Sequence, residues 1–255
     1  MFQEAAALAC ADLQPGETGL VIDIGGGTSD FTLFRKDKGR AEVLASHGIR
    51  LGGTHFDRAL SLAHAMPLLG AGTEVRRSLA DGLLPVPAAL FNDLASWQKI
   101  PFLYTRDTLS LARDLERHAV ERDKLSRLVE VLEAELGHDI AFAVEAAKIG
   151  ANSQHAAAID MSLVEKGLSA PLPPDALARD LAPYGAELQG AIAETLSRGS
   201  LRADQVGAVV YVGGSSLMQV VAQAAEAVLP QARALRGEAF TAVVDGLAIA
   251  SAEGA

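Results

Sequence analysis

One cysteine, Cys10, stands in a chain of 255 residues. That excludes an internal disulfide and any multi-cysteine metal site, and it fits a reducing, cytoplasmic setting. Basic charge is also scarce, with 22 Lys and Arg against 32 Asp and Glu and a net charge of −10. A surface for nucleic acid or for an anionic membrane needs clustered positive charge, so neither is expected as a partner. Long apolar runs are missing too. None approaches the ~18 residues of a spanning helix, and no basic-then-apolar leader opens the chain. The histidines form no set: His47 and His55 fall on different elements, and His118, His138 and His155 are scattered. Zinc ligation and a His-based nucleophile triad are therefore not expected.

What is present is a core-forming composition, 49% apolar and 21% charged, enough for one large domain or two smaller ones. The first thirteen residues read as a helix with no capping residue before it, as in a chain that begins inside a larger fold. Gly19 to Ile24 is apolar on both faces, the pattern of a covered central strand. Ser29 to Arg35 and Glu42 to Ile49 follow as two further strands, so two hairpins open the chain. A helix is predicted from Thr54 to Met66. Residues 67–107 contain several prolines and little periodicity, and read as a long irregular connection. Helices in two or three pieces follow from Leu109 to Ala151, where the charge run RDLERHAVERDKLSR reads as a solvated face. A short hairpin over Gln154–Leu163 and Lys166–Leu172 comes next, then a long helix from Pro173 to about Arg198. Ala208 to Val212 is a second buried strand, with a helix to Val228, a short strand ARAL, and a helix over Thr241–Ala252. Residues 1–50 and 195–255 thus form a core sheet subdomain, and 51–194 an inserted, mainly helical subdomain with a short hairpin.

The most informative stretch is Asp23-Ile24-Gly25-Gly26-Gly27-Thr28-Ser29-Asp30. Three glycines between two strands let the backbone approach a ligand and turn its amides inward, as in a phosphate cradle. Thr28 adds a hydroxyl. Asp23 and Asp30 flank the loop as two carboxylates suited to hydrated Mg²⁺, which keeps several waters. The plainer alternative is a glycine-rich hairpin turn with two aspartates. Leu51-Gly52-Gly53 and Val212-Gly213-Gly214-Ser215 each place a Gly-Gly before a helix, where amides and the positive dipole end suit phosphate or ribose. Either alone is equally an ordinary helix lead-in. Glu145 and Lys148, three apart on one helix, are either a solvated ion pair or part of a site.

D-I-G-G-G-T-x-D between strands, R-L-G-G-x-x-F-D before a helix, E-x-x-K on a helix and V-G-G-S after a strand occur in that order. The chain thereby resembles the nucleotide-binding domain of Hsp70 chaperones, within the actin/Hsp70/sugar-kinase ATPase superfamily. Through Ala65 to Glu74 (AMPLLGAGTE), the insertion after it and D-G-L-A near the end, it is most similar to YegD-type Hsp70-like proteins. The resemblance covers essentially the whole chain and implies an α/β lobe of ribonuclease-H-like, actin-like ATPase fold, the second lobe only. It implies ATP or ADP and Mg²⁺ as cofactors. Asp23 and Asp30 would bind the metal through waters, and Gly25 to Thr28 the β- and γ-phosphates. Gly52 and Gly53 would approach the nucleotide, Glu145 and Lys148 the ribose side, and Gly213, Gly214 and Ser215 phosphate and ribose. Glu4 in QEAAA matches a glutamate of the family's interlobe linker, although Ala5 stands where the family has proline; Asp23, Thr28 and Glu4 are the candidate catalytic residues. Two positions depart: Leu217 and Ile149 stand where the family carries basic residues that grip adenine. The implied partners are the first lobe, which this sequence does not contain, and client polypeptides or co-chaperones. The alternatives are a non-catalytic interaction lobe of a decayed Hsp70-like protein and a lobe of a sugar or acid kinase.

Overall fold

A computed structural model describes residues 13–37, 40–77 and 81–235. The expected first helix, with Glu4 and Cys10, and the helix over Thr241–Ala252 lie outside the described residues. The chain divides into two compact units. One joins the residues up to Gly53 with those from Leu181 onward; the other is the continuous stretch Thr54–Asp180.

The first unit is built on a five-stranded mixed sheet. Its strands are β1 (Thr18–Ile24), β2 (Ser29–Asp37), β3 (Arg40–Ile49), β8 (Ala208–Val212) and β9 (Arg233–Leu235), in the order β3-β2-β1-β8-β9. β2 pairs antiparallel with both β1 and β3, while β1–β8 and β8–β9 are parallel. β1 and β8 occupy the middle for the reason their composition suggests: all of AVVYV is buried, as is every residue of β1 except the half-buried Asp23. Strand alternation then sorts the core. Val21, Phe34, Ala208, Val210 and Val212 cluster with Leu13 on one face. Between the pairs Leu33–Ala45 and Phe34–Val43 the register skips Leu44, which marks a bulge in β3. The Phe34 ring lies over its cross-strand partner Gly19, where a Cβ would come within 2.6 Å of the ring. Among the described residues this unit also holds the later part of α6 (Pro174–Arg198) and α7 (Gln219–Val228). They meet where Gly185 abuts Val220, and α6 reaches the sheet where Gly199 abuts Leu33.

The second unit is mainly helical. It holds α1 (Gly53–Leu60, all but its first residue), α2 (Ala88–Leu94), α3 (Arg106–His118), α4 (Arg122–Glu133) and α5 (Gly137–Asn152). The predicted helix to Met66 is helical throughout but not uniform, since α1 runs into a π turn at Ser61–Ala65 and a 3₁₀ turn at Met66–Leu69. Pro67 sits in the first turn of that 3₁₀ segment, where a missing N–H is tolerated. The expectation of an irregular 67–107 is corrected: it contains a hairpin of β4 (Glu74–Arg76) and β5 (Leu83–Pro85), helix α2 and a 3₁₀ turn at Ile100–Leu103. Three-residue strands are too short to show a period. The predicted second hairpin is β6 (Ala157–Asp160) against β7 (Ser169–Leu172). On the charged helices, Arg113 pairs with Glu133 and Arg122 with Glu116. The second division of the chain falls at Asp180/Leu181, inside α6, rather than at the expected 194/195. Among the described residues no helix is long and apolar enough to cross a membrane.

Candidate functional site

The three glycine segments of the first unit meet at one place. β1 ends at Ile24 and its parallel neighbour β8 at Val212, with Asp23 opposite Val212 in register. From there the chain turns away on opposite sides, into β2 after β1 and towards β9 after β8. Ligands in open α/β sheets favour this position, at the carboxyl ends of strands where the connections diverge. Gly25 to Thr28, all exposed, form the turn from β1 to β2, closed by the Gly25 amide donating to the Thr28 carbonyl at 3.0 Å. The Gly53 amide donates to the Gly25 carbonyl, also at 3.0 Å, and the Ser29 hydroxyl donates to the Leu51 carbonyl at 2.7 Å. These bonds tie the second glycine segment to the first.

Packing explains why glycine is needed. A Cβ on Gly52 would stand 2.7 Å from backbone atoms of Gly25 and Gly26, and one on Gly53 would collide with the Ser215 hydroxyl. Gly213 takes a left-handed φ of 80°, and a Cβ there would be 2.5 Å from the Ile24 carbonyl oxygen. The three segments are in van der Waals contact through bare backbone. After Gly213 comes a 3₁₀ turn, Gly214–Leu217, pinned by the Ser216 hydroxyl donating to the Gly213 carbonyl at 2.6 Å. Helix α7 starts only at Gln219, so the V-G-G-S segment leads into this turn rather than straight into a long helix.

The two carboxylates are a directly opposed cross-strand pair, Asp23 on β1 and Asp30 on β2. Burial pushes the Asp23 carboxyl above its ordinary 3.8, and the Asp30 charge adds to the rise. Like charges held opposite one another repel, and a divalent cation between them would relieve that repulsion. Asp30 lies over its β3 partner Gly48, where a Cβ would come within 2.8 Å of Oδ1. Gly48 thus makes room for the carboxylate. No family model matches this sequence.

Glu145 and Lys148 lie in the second unit, on α5. They do not form the solvated pair that was one of the two expectations. Lys148 is buried, 4% exposed, and its ammonium sits 2.7 Å from Asp57 Oδ1 on α1. Burial pushes the Asp57 carboxyl up, Lys148 draws it back, and Glu145 adds to the rise. Ile149 and Leu217, the two departures, are 57% and 41% exposed. Sequence reasoning missed three contributors: Ser29, Gly48 and Asp57. Ser29 and Asp57 were visible inside the D-I-G-G-G-T-x-D and R-L-G-G-x-x-F-D segments. Gly48 carried no local signal, because its role depends on strand register.

Proposed function

We propose that the first unit binds the phosphates of Mg-ATP or Mg-ADP, and that the chain is the second, ribonuclease-H-like lobe of an Hsp70-like chaperone ATPase. The observation that carries this reading is the convergence of Gly25–Thr28, Gly52–Gly53 and Gly213–Ser215 beside Asp23 and Asp30. The ribonuclease-H-like assignment is supported by a mixed sheet that opens with two hairpin-linked pairs and closes with a parallel strand returning after an insertion. Bare backbone allows close approach of an anion, and Thr28 and Ser215 supply hydroxyls. The opposed aspartates suit a hydrated Mg²⁺, which would neutralise phosphate charge. Phosphoryl transfer depends on positioning and charge neutralisation, so Asp23 and Thr28 orient and balance charge while a first lobe closes the site. A second reading, a lobe whose ATPase has decayed, is favoured by the exposed apolar Leu217 and Ile149 at the adenine-gripping positions.

Amide NMR during titration with Mg-ATP tests the proposal. The expected result is weak binding that shifts resonances of Gly26–Thr28, Gly52 and Gly213–Ser215 and spares β3 and β9, with no steady phosphate release by this chain alone. Saturating Mg-ATP without shifts at those glycines would overturn it.

A further inference from the structure

The only tryptophan of the chain, Trp97, is 40% exposed, and Phe142 beside it is 57% exposed. Exposing two large aromatics together is costly for a surface with no use for them. Their rings meet edge to face, with centroids 5.0 Å apart, and His138 buttresses Trp97 from another side at 4.5 Å. They rim a cleft of about 270 Å³ that lies wholly within the second unit, walled by the buried Leu94 and Val144. Among the described residues its charged lining is carboxylate, Glu145 and Asp57, with no Lys or Arg. Lys148 offsets Asp57. Glu145 is exposed at this aromatic mouth, so its carboxylate supplies negative charge there.

We propose that this cleft is a binding site for a small organic monocation, an alkyl- or aryl-ammonium with an apolar body. A ring face of the Trp97–Phe142 pair left open by their edge-to-face contact attracts a cation, the Leu94 and Val144 walls take its hydrocarbon, and the Glu145 carboxylate supplies the counter-charge. The same charge disfavours phosphates and carboxylates. This ligand is opposite in sign to that of the glycine cradle, but Glu145 is also the residue that the Hsp70 resemblance would set at the ribose side of a nucleotide, so adenosine among the comparison ligands separates the two uses.

The lone tryptophan makes the test direct. Benzyltrimethylammonium is titrated into the full chain while Trp97 fluorescence is followed, with benzyl alcohol, benzoate and adenosine as comparison ligands. The expected result is a saturable change below about 1 mM for the cation, at least about tenfold weaker binding of benzyl alcohol, and none of benzoate. Glu145→Gln, a surface change, should weaken the cation about tenfold and leave benzyl alcohol unaffected. Phe142→Leu should weaken both. Linear, unsaturable quenching would overturn the proposal, as would equal binding of cation and alcohol, or adenosine saturating the signal at lower concentration than the cation. If Glu145→Gln left cation affinity unchanged while the circular dichroism melt matched wild type, the charge assignment would be wrong.

Discussion

Asp23 and Lys148 are both ionisable groups held away from water, and they call for opposite expectations. Asp23 lies opposite another carboxylate, so its ionised form is disfavoured in the fold. A carboxyl with a raised folded pKa contributes stability that is fully present below its unfolded value and lost as pH rises through the folded value. In the metal-free protein, Asp23→Asn should therefore be at least as stable as wild type at pH 7. That difference should vanish as the pH falls below 3.8, a comparison read from urea melts across pH 3 to 7. On the proposed function the same substitution should weaken Mg-nucleotide binding by about 10–100-fold, the order of effect of losing a residue that orients a metal's ligands. A loss of stability with affinity intact would make Asp23 a packing residue. Lys148→Met should instead destabilise, by about 3 kcal/mol or more, because it strands the largely buried Asp57 carboxylate without its cation. Adding Asp57→Asn should recover part of that loss, and a thermal-melt cycle of the four proteins measures the coupling.

Among the elements, α6 carries an internal proline, Pro183. The ring removes the N–H that would bond the Arg179 carbonyl one turn back, at a cost near ~3 kcal/mol against alanine. Proline also restricts the unfolded chain, which returns up to about 1 kcal/mol. Pro183→Ala should then raise stability by about 2 kcal/mol, visible as a higher denaturation midpoint at unchanged slope. The elements also show how far a sequence can be read. β1, β2, β3 and β8 were legible because an apolar run, or alternation bounded by glycine turns, has few other solutions. β4, β5 and α2 were not, since three to seven residues among prolines hold less than two helical turns or two strand repeats. The candidate site was half legible. Each glycine segment announced a close approach somewhere, but that Gly52 approaches Gly25 and Gly26, and Gly213 approaches Ile24, depends on tertiary packing. The solvated-pair alternative for Glu145 and Lys148 came from a helix-surface rule, i to i+3, whereas the partner of Lys148 lies far away in sequence on α1.

At the scale of the whole chain, one unit is continuous and the other is assembled from both ends. The continuous unit has its own apolar centre, including Phe56, Leu60, Leu69, Leu125 and Leu128, all fully buried. Residues 54–180 expressed alone should unfold cooperatively, with Trp97 fluorescence and far-ultraviolet circular dichroism giving coincident transitions. A broad melt with separated transitions would show that this stretch needs the rest of the chain. The split sheet has a consequence in time. During synthesis β1, β2 and β3 emerge early and pair locally, yet β1 must wait for β8, made only after the whole insertion. Until then the inner edge of β1, an apolar strand with unsatisfied backbone donors and acceptors, is open to any passing strand. The insertion can fold during that wait, but the time taken to synthesise the chain between β3 and β8 sets the least time for which the nascent sheet stays adhesive on the ribosome.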